Sequence, residues 1–399
     1  MVFTILRADE DQYDIAAVNL SPGKINVLFR GIYARYADGH LLYADAAGGL
    51  FAIAFDQDAL KTSGTPDPIV AGVSHSENGL AHFAVSATGT LLYGTGAGGG
   101  YEEMVWVDRQ GRTQAIDSTI TGPFKDLAIS PDGRRVAFTQ QVGVHPSVWI
   151  KDLDHGPIGK VTLEGDNNAP AWADGGREVT FVRSQNGTRD LYERRADGST
   201  SPAKLLHAGR SIDYGFVSPN GQWFVYQTAL SGASTGRDIF ARRTIGDTTT
   251  IAVAATSVNE LQPRLSPDGR WIAYVAGESN VPEVYVSPFP NTQTARTQVS
   301  VSGGVSPLWS RNGRELFYAD SSGMLIAAKV ETAASFQVKE RTPLFNADSF
   351  FLFSSQLGPV FDVSPDGQRF IMTRARGKST EQLVLVQNWT AGLPKSGKR

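Results

Sequence analysis

Short runs of apolar and polar residues alternate along almost the whole chain, and nowhere do apolar residues recur at helical spacing over a long window. The clearest runs are Arg135-Val136-Ala137-Phe138-Thr139, Glu178-Val179-Thr180-Phe181-Val182, Trp223-Phe224-Val225-Tyr226 and Trp271-Ile272-Ala273-Tyr274-Val275. They are rich in β-branched and aromatic residues and are bounded by polar turn residues, so each predicts a strand. After a polar loop comes a third strand (Val148-Trp149-Ile150, Leu191-Tyr192, Ile239-Phe240, Val284-Tyr285-Val286) and then a shorter fourth, as in Lys160-Val161-Thr162-Leu163.

One phrase precedes the second strand of each set. Ser-Pro-Asp-Gly stands at 130–133, 266–269 and 364–367, with looser copies at 36–39, 86–89, 173–176, 218–221 and 310–313. The closing glycines fall at 39, 89, 133, 176, 221, 269, 313 and 367, in steps of 43 to 54 residues. In such a phrase proline presets φ at the second turn position, Asp or Asn bonds its own backbone, and glycine accepts a positive φ, so the phrase joins antiparallel strands. Four strands per repeat of this length is the blade of a β-propeller, which makes the expected fold class all-β.

Counting strands predicts five complete blades starting near Asp126, Ala169, Tyr214, Gln262 and Ser306. A last set of three strands follows at 360–363, 369–373 and 382–387, and a spare fourth strand lies at 113–117. Joined as three plus one they complete a ring of six with no exposed edge. The expected domains are N-terminal partial blades over 1–109, a six-bladed propeller over 110–390 and a basic tail over 391–399. The alternative is a single ring of eight that takes its spare strand from 24–29. The opening strands, 2–6, 13–19 and 24–29, look like the second to fourth strands of a blade without its first.

Composition narrows the functions. A formal net charge of −3 leaves the molecule no general attraction to nucleic acid or an anionic membrane. The absence of cysteine excludes disulfides, thiolate metal sites and a cysteine nucleophile. No run approaches the roughly 18–20 apolar residues of a membrane span, and residues 1–6 are too short and lack the basic flank of a signal peptide, so a soluble chain is expected. The N-terminal strands lack partners, and a homodimer through them is expected.

The run Leu127-Ala128-Ile129-Ser130-Pro131-Asp132-Gly133, the Trp149-Ile150-Lys151-Asp152-Leu153 segment and the stretch from Ser266 to Tyr274 resemble the TolB-like propeller repeat. Further segments are similar to the sensor-like C-terminal regions of bacterial, especially acidobacterial, Ser/Thr receptor-type kinases. They are Glu283-Val284-Tyr285-Val286 with Pro288-Phe289-Pro290, Arg314-Glu315-Leu316-Phe317-Tyr318, and the ending from Phe361 to Phe370 and on to Asn388-Trp389. The resemblance implies an extracytoplasmic parent region that binds a ligand or partner. It carries over no catalytic residue, because the shared motifs are turns and strands.

Local motifs add little chemistry. Gly232-Ala233-Ser234-Thr235-Gly236 has the letters of a hydrolase nucleophile elbow but lies in a strand-to-strand loop rather than a strand-to-helix turn. The glycine-rich stretch 95–100 lacks the Gly-Lys-Ser/Thr ending of a phosphate cradle, and the acidic cluster at Asp9, Glu10, Asp11 and Asp14 lacks the glycine and terminal glutamate of a calcium loop. None of the six histidines has helical metal-ligand spacing; His75 and His82, bracketing Glu77, are the pair that could bind.

Propeller geometry is a better guide, because residues just ahead of each inner strand meet around one mouth of the channel. These are Lys125 and Asp126, Asn167 and Asn168, Asp213, Asn259 with Glu260 and Gln262, and Ser306. Asp126, Asn168, Asp213, Glu260 and Gln262 are the candidate ligands for Ca2+, which accepts six to eight oxygens in flexible geometry. Two readings stay open: a non-catalytic binding or sensing propeller with a small-molecule or protein ligand at its mouth, and a Ca2+-dependent lactonase or esterase. In the second, His82, Asp213 or Glu260 would activate water. Equally, the rim residues could simply cap strand ends.

Overall fold

The computed structural model describes residues 1–399 except 8–11, 21–22, 46–47, 75–79, 87–88, 96–101, 121, 142–144, 155, 230–235, 278–280, 351–357, 376–381 and 394–399. The described residues form antiparallel sheets joined by turns, with three short 3-10 segments and no α-helix. None is a helix long and apolar enough to cross a membrane. The chain divides into two units, one comprising residues 1–101, 143–145 and 375–399, the other 102–142 and 146–374.

The larger unit holds six four-stranded sheets. Sheet I runs Phe124–Ile129, Arg135–Gln141, Pro146–Asp152 and Ile158–Lys160; sheet II runs Asp166–Ala173, Glu178–Gln185, Thr188–Arg195 and Ala203–Leu206. Sheet III is Ile212–Val217, Trp223–Thr228, Ile239–Arg243 and Thr250–Ala254; sheet IV is Glu260–Leu265, Trp271–Ala276, Glu283–Pro288 and Thr297–Gln298. Sheet V is Val305–Trp309, Glu315–Ala319, Met324–Glu331 and Gln337–Asn346. Consecutive sheets share buried cores: Val182 and Leu191 of sheet II pack with Tyr214 and Val225 of sheet III, and Val284 of sheet IV packs with Leu316 of sheet V.

Sheet VI departs from the three-plus-one expectation. Its order is Thr113–Ala115, Glu102–Asp108, Arg369–Ala375, Asp362–Val363, two strands from each end of the unit. The pattern of burial explains the choice. Met104, Val105, Trp106 and Val107 are all buried, so Glu102–Asp108 is apolar on both faces and needs a place inside a sheet. Arg374 pairs with Glu103 at 2.9 Å across this junction, and Arg369 lies 4.6 Å over the Trp106 ring. Gln382–Gln387, expected in this sheet, pairs instead with Thr90–Thr95, where Val384 and Val386 pack beside Leu91 and Trp389 and Leu383 and Leu385 stay exposed.

The smaller unit contains that three-stranded sheet, completed by Phe83–Val85, and a four-stranded sheet of Tyr33–Ala37, His40–Ala44, Leu50–Asp56 and Lys61–Val70. It also contains a three-stranded sheet of Val2–Arg7, Gln12–Val18 and Ile25–Arg30.

The repeated phrase closes as a turn with one feature beyond its expected chemistry. Ser130 is buried; its hydroxyl donates to Asp132 Oδ1 at 2.5 Å and accepts the Arg135 amide at 2.9 Å, while the Gly133 amide returns to the Ser130 carbonyl. The same arrangement recurs at Ser218 with Asn220, Ser266 with Asp268, Ser310 with Asn312 and Ser364 with Asp366. The glycines sit at φ from 69 to 75°, where a side chain would be strained.

Candidate functional site

The residues expected around the rim lie in the first half of each inner strand, where every strand from sheet I to sheet V carries a β-bulge. At four of these bulges a non-glycine residue takes a left-handed conformation: Asp126, Ala169, Gln262 and Ser306, with φ of 54 to 56°. A bulge leaves its amide out of the ladder, and a buried amide needs an acceptor. At three of the four, side chains of the preceding sheet supply it. Asp126 Oδ2 of sheet I accepts the Ala169 amide of sheet II at 3.1 Å, Gln227 Oε1 of sheet III accepts the Gln262 amide of sheet IV at 2.8 Å, and Gln262 Oε1 accepts the Ser306 amide of sheet V at 2.7 Å.

Each of the five candidate Ca2+ ligands can therefore be placed. Asp126 also accepts the Thr139 hydroxyl at 2.8 Å. Asn168 has its Oδ1 buried without a hydrogen-bond partner. Asp213 is held between two guanidinium groups, Arg189 at 2.6 Å and Arg237 at 2.7 Å. Glu260 accepts the Thr256 hydroxyl at 2.5 Å, and burial pushes its carboxyl above the usual range. Gln262 is a link in the bulge chain. Among the described residues no group of three or more His, Asp or Glu is arranged to hold a metal ion.

The remaining rim positions are also engaged. Asn167 donates to the Glu164 and Gly165 carbonyls and accepts from Arg183 at 2.9 Å, and Asn259 accepts the Arg237 amide. His82 belongs to the smaller unit, where its Nδ1 lies 3.1 Å from the Ser74 hydroxyl. His75, Glu77, Asp9, Glu10, Asp11 and residues 96–100 and 232–235 lie outside the described residues.

A cavity of about 420 Å3 opens at the other half of the inner strands, where each runs into its turn phrase. All six sheets of the larger unit reach it. Ala128, Trp172, Phe216, Arg264, Trp309 and Asp362, one from each sheet, stand among the wall residues, and the phrase residues Pro131, Pro219 and Pro267 stand exposed around it. Trp172 and Trp309 take matching places at the ends of their strands, and each indole N–H donates to a carbonyl of the preceding sheet, Ala128 at 2.8 Å and Arg264 at 3.1 Å. These bonds hold the rings as fixed apolar walls.

Two of the charges are internally compensated. Asp362 Oδ2 accepts the Ile129 amide at 2.6 Å and meets Arg311 at 3.3 Å; Asp174 pairs with Arg177 at 2.5 Å. Arg264 lies with its guanidinium carbon 4.7 Å from the centroid of the Tyr214 ring. A wall of aromatic rings and prolines with a few fixed polar groups suits a ligand that is partly apolar.

A family model described as the TolB beta propeller domain matches residues 94–323, more than half of the chain. The chain belongs to the TolB beta propeller domain family. Protein TolB homolog of Chlorobium luteolum is 33% identical over 106 residues, 26% of this chain and 24% of the relative. That of Chlorobaculum tepidum is 36% identical over 72 residues, 18% and 17% of the two chains. The matched stretches thus span about a quarter or less of these relatives. Among solved structures, a TolB from Agrobacterium tumefaciens aligns with a TM-score of 0.51 at 15% identity over 69% of this chain and 99% of its own, a likeness of fold.

Within this TolB-like propeller, the turn phrases thus mark the cavity rather than only the hairpins. Trp172 and Trp309, which do not figure among the residues expected around the rim, line it. Their place next to a turn phrase, at the end of an inner strand, was the available signal.

Proposed function

We propose that the larger unit is a closed six-bladed propeller that binds a segment of a partner protein in the cavity at its turn-phrase mouth, with no catalysis of its own. The supporting observation is the cavity itself, to which every sheet contributes at equivalent positions. Strand ends converging from separate sheets are the means by which a propeller builds one site from residues distant in sequence. Membership of the TolB beta propeller domain family supports protein binding, and the resemblance to receptor-kinase sensor regions supports an extracytoplasmic setting for it.

The test is a photocrosslinking side chain placed at position 173, in the cavity wall, and in a second protein at Leu163, which is exposed and outside the lining. Exposed to native cell extract and read by mass spectrometry, position 173 is expected to trap a discrete protein that position 163 does not. Equal labelling at both positions, or none, overturns the reading. Ester or lactone turnover that requires Ca2+ and stops with chelator would replace it with the Ca2+-dependent hydrolase.

A homodimer through the N-terminal strands is a further proposal, supported by Ile25 and Val27, both about half exposed on the edge strand Ile25–Arg30. Sizing of Val27→Lys against the parent chain tests it; an unchanged dimer, or a monomeric parent, counts against it.

A further inference from the structure

We propose that Arg264 makes the cavity selective for a carboxylate, so that the bound protein segment presents an aspartate or glutamate beside an apolar or aromatic residue. This rests on the protein-binding reading above and names its chemistry.

Arginines of the larger unit commonly meet a carboxylate: Arg109 with Glu315 at 2.5 Å, Arg189 and Arg237 with Asp213, Arg374 with Glu103, and Arg311 with Asp362. Like Arg135, Arg243 and Arg369, Arg264 lies over an aromatic ring instead, and of these four it is the one that lines the cavity. Among the described residues it has no ion-pair partner; its Nη1 donates to the Pro263 carbonyl at 2.8 Å and its face lies over Tyr214. A guanidinium carries five N–H donors in a fixed fork, so donors remain for a ligand. The side chain is half-buried in a wall that Phe216, Leu265 and Trp309 also line, where water solvates a cation less well and an attraction is screened less than at the surface.

The other charges in the wall do not compete. Asp362 is satisfied by the Ile129 amide and Arg311, and Asp174 by Arg177, so these pairs leave the cavity one unmatched positive charge. Burial pushes the Tyr214 phenol up, so at neutral pH the ring beneath Arg264 carries no charge of its own. A carboxylate is the group whose two oxygens match the guanidinium fork, and such charge-assisted bonds are short and directional. Trp172, Trp309 and the exposed prolines of the rim would take the neighbouring apolar residue.

The test uses the full chain. Twelve-residue peptides are selected from a displayed library, resynthesised, and measured by fluorescence polarisation against the parent chain, Arg264→Gln, Arg264→Lys and Ala173→Arg. Ala173 has extended backbone at φ −132° and lines the cavity, so its arginine variant fills the site without backbone strain. The expected result is selected peptides rich in Asp or Glu next to aromatic residues. Amide replacement of the acidic residue should weaken binding to the parent at least tenfold and to Arg264→Gln less than threefold, with Arg264→Lys between. Peptides that lose binding to Ala173→Arg yet bind Arg264→Gln as tightly as the parent would overturn the role of Arg264 and leave the protein-binding reading standing. Peptides indifferent to Ala173→Arg, or no selected peptides, would overturn both. Circular dichroism and thermal unfolding of each variant confirm that the comparison is between folded proteins. Benzoate and acetate serve as competitors; displacement at equal concentration to the peptide would assign the site to a small free carboxylate and overturn the proposal of a protein segment.

Discussion

The carboxylate of Asp126 and the amide of Ala169 are 3.1 Å apart, in different sheets, and the carboxylate accepts. Ala169 holds a left-handed conformation at φ 54°, which costs a residue with a Cβ about 1–2 kcal/mol and would not persist without support from its surroundings. Asp126 provides that support, with the Thr139 hydroxyl as a second partner. Replacing Asp126 by Ala leaves the buried Ala169 amide only the Thr139 hydroxyl oxygen, also at 3.1 Å, and takes from that hydroxyl its own acceptor, so it should cost about 1–2 kcal/mol in urea unfolding. Asp126→Asn keeps an acceptor oxygen and should lose less than half as much. Equal losses would show that the hydrogen bond is not what Asp126 contributes.

The turn phrases predict an acid limb to the stability curve. The Ser130 hydroxyl and the Arg134 amide hold the Asp132 carboxyl below the usual range, and the Ser364 hydroxyl and the Gln368 amide do the same for Asp366. A carboxyl whose folded pKa is depressed contributes stability above its unfolded pKa, about 3.9, and loses it as pH falls through the folded value. Asp132→Asn and Asp366→Asn should therefore flatten the decline of stability below about pH 4, toward the behaviour of the copies that carry Asn220 and Asn312. An acid limb of unchanged steepness in the double variant would count against the turns as its source.

Glu260 predicts the opposite slope. Burial raises its carboxyl, outweighing the Thr256 hydrogen bonds, so its contribution is full below the unfolded pKa of about 4.3 and is lost as pH rises through the raised folded value. Glu260→Gln should thus compare more favourably with the parent at pH 7.5 than at pH 4.5. A constant difference between the two pH values would refute it. Repeating the pair with Ca2+ and with chelator reads metal binding at this position directly: a ligand role appears as Ca2+-dependent stabilisation of the parent that Glu260→Gln lacks.

Sheet VI makes a prediction about fragments. Because Glu102–Asp108 and Arg369–Ala375 are its central pair, residues 102–375 carry all four of its strands. That fragment should give β-sheet circular dichroism and a single cooperative unfolding transition. A fragment of residues 110–390 lacks the buried strand with Trp106 and should aggregate or unfold at least 10 °C lower, given a loss of several kcal/mol and about 2–4 °C per kcal/mol at this size. The reverse outcome would favour the three-plus-one arrangement.

The repeat, the antiparallel hairpins and the four-stranded sets were legible in the chain because their causes are local. Proline, Asp or Asn, and glycine act within one turn, and the alternation after Gly133, Gly221 and Gly269 acts within one strand. Pairing between strands far apart in sequence was not legible. Residues 382–387 look like a third strand by pattern, and only the demand of Glu102–Asp108 for cover on both faces sends them elsewhere. The polar residues ahead of each inner strand were visible, but not their purpose. Asp126 and Gln262 face amides of a neighbouring sheet because a bulge puts an unpaired N–H there, and bulges leave no mark in composition. Likewise Trp172, Arg264, Trp309 and Asp362 become one cavity only in the folded chain, since what makes them a site is their place at the same end of the inner strands of separate sheets rather than any spacing along the chain.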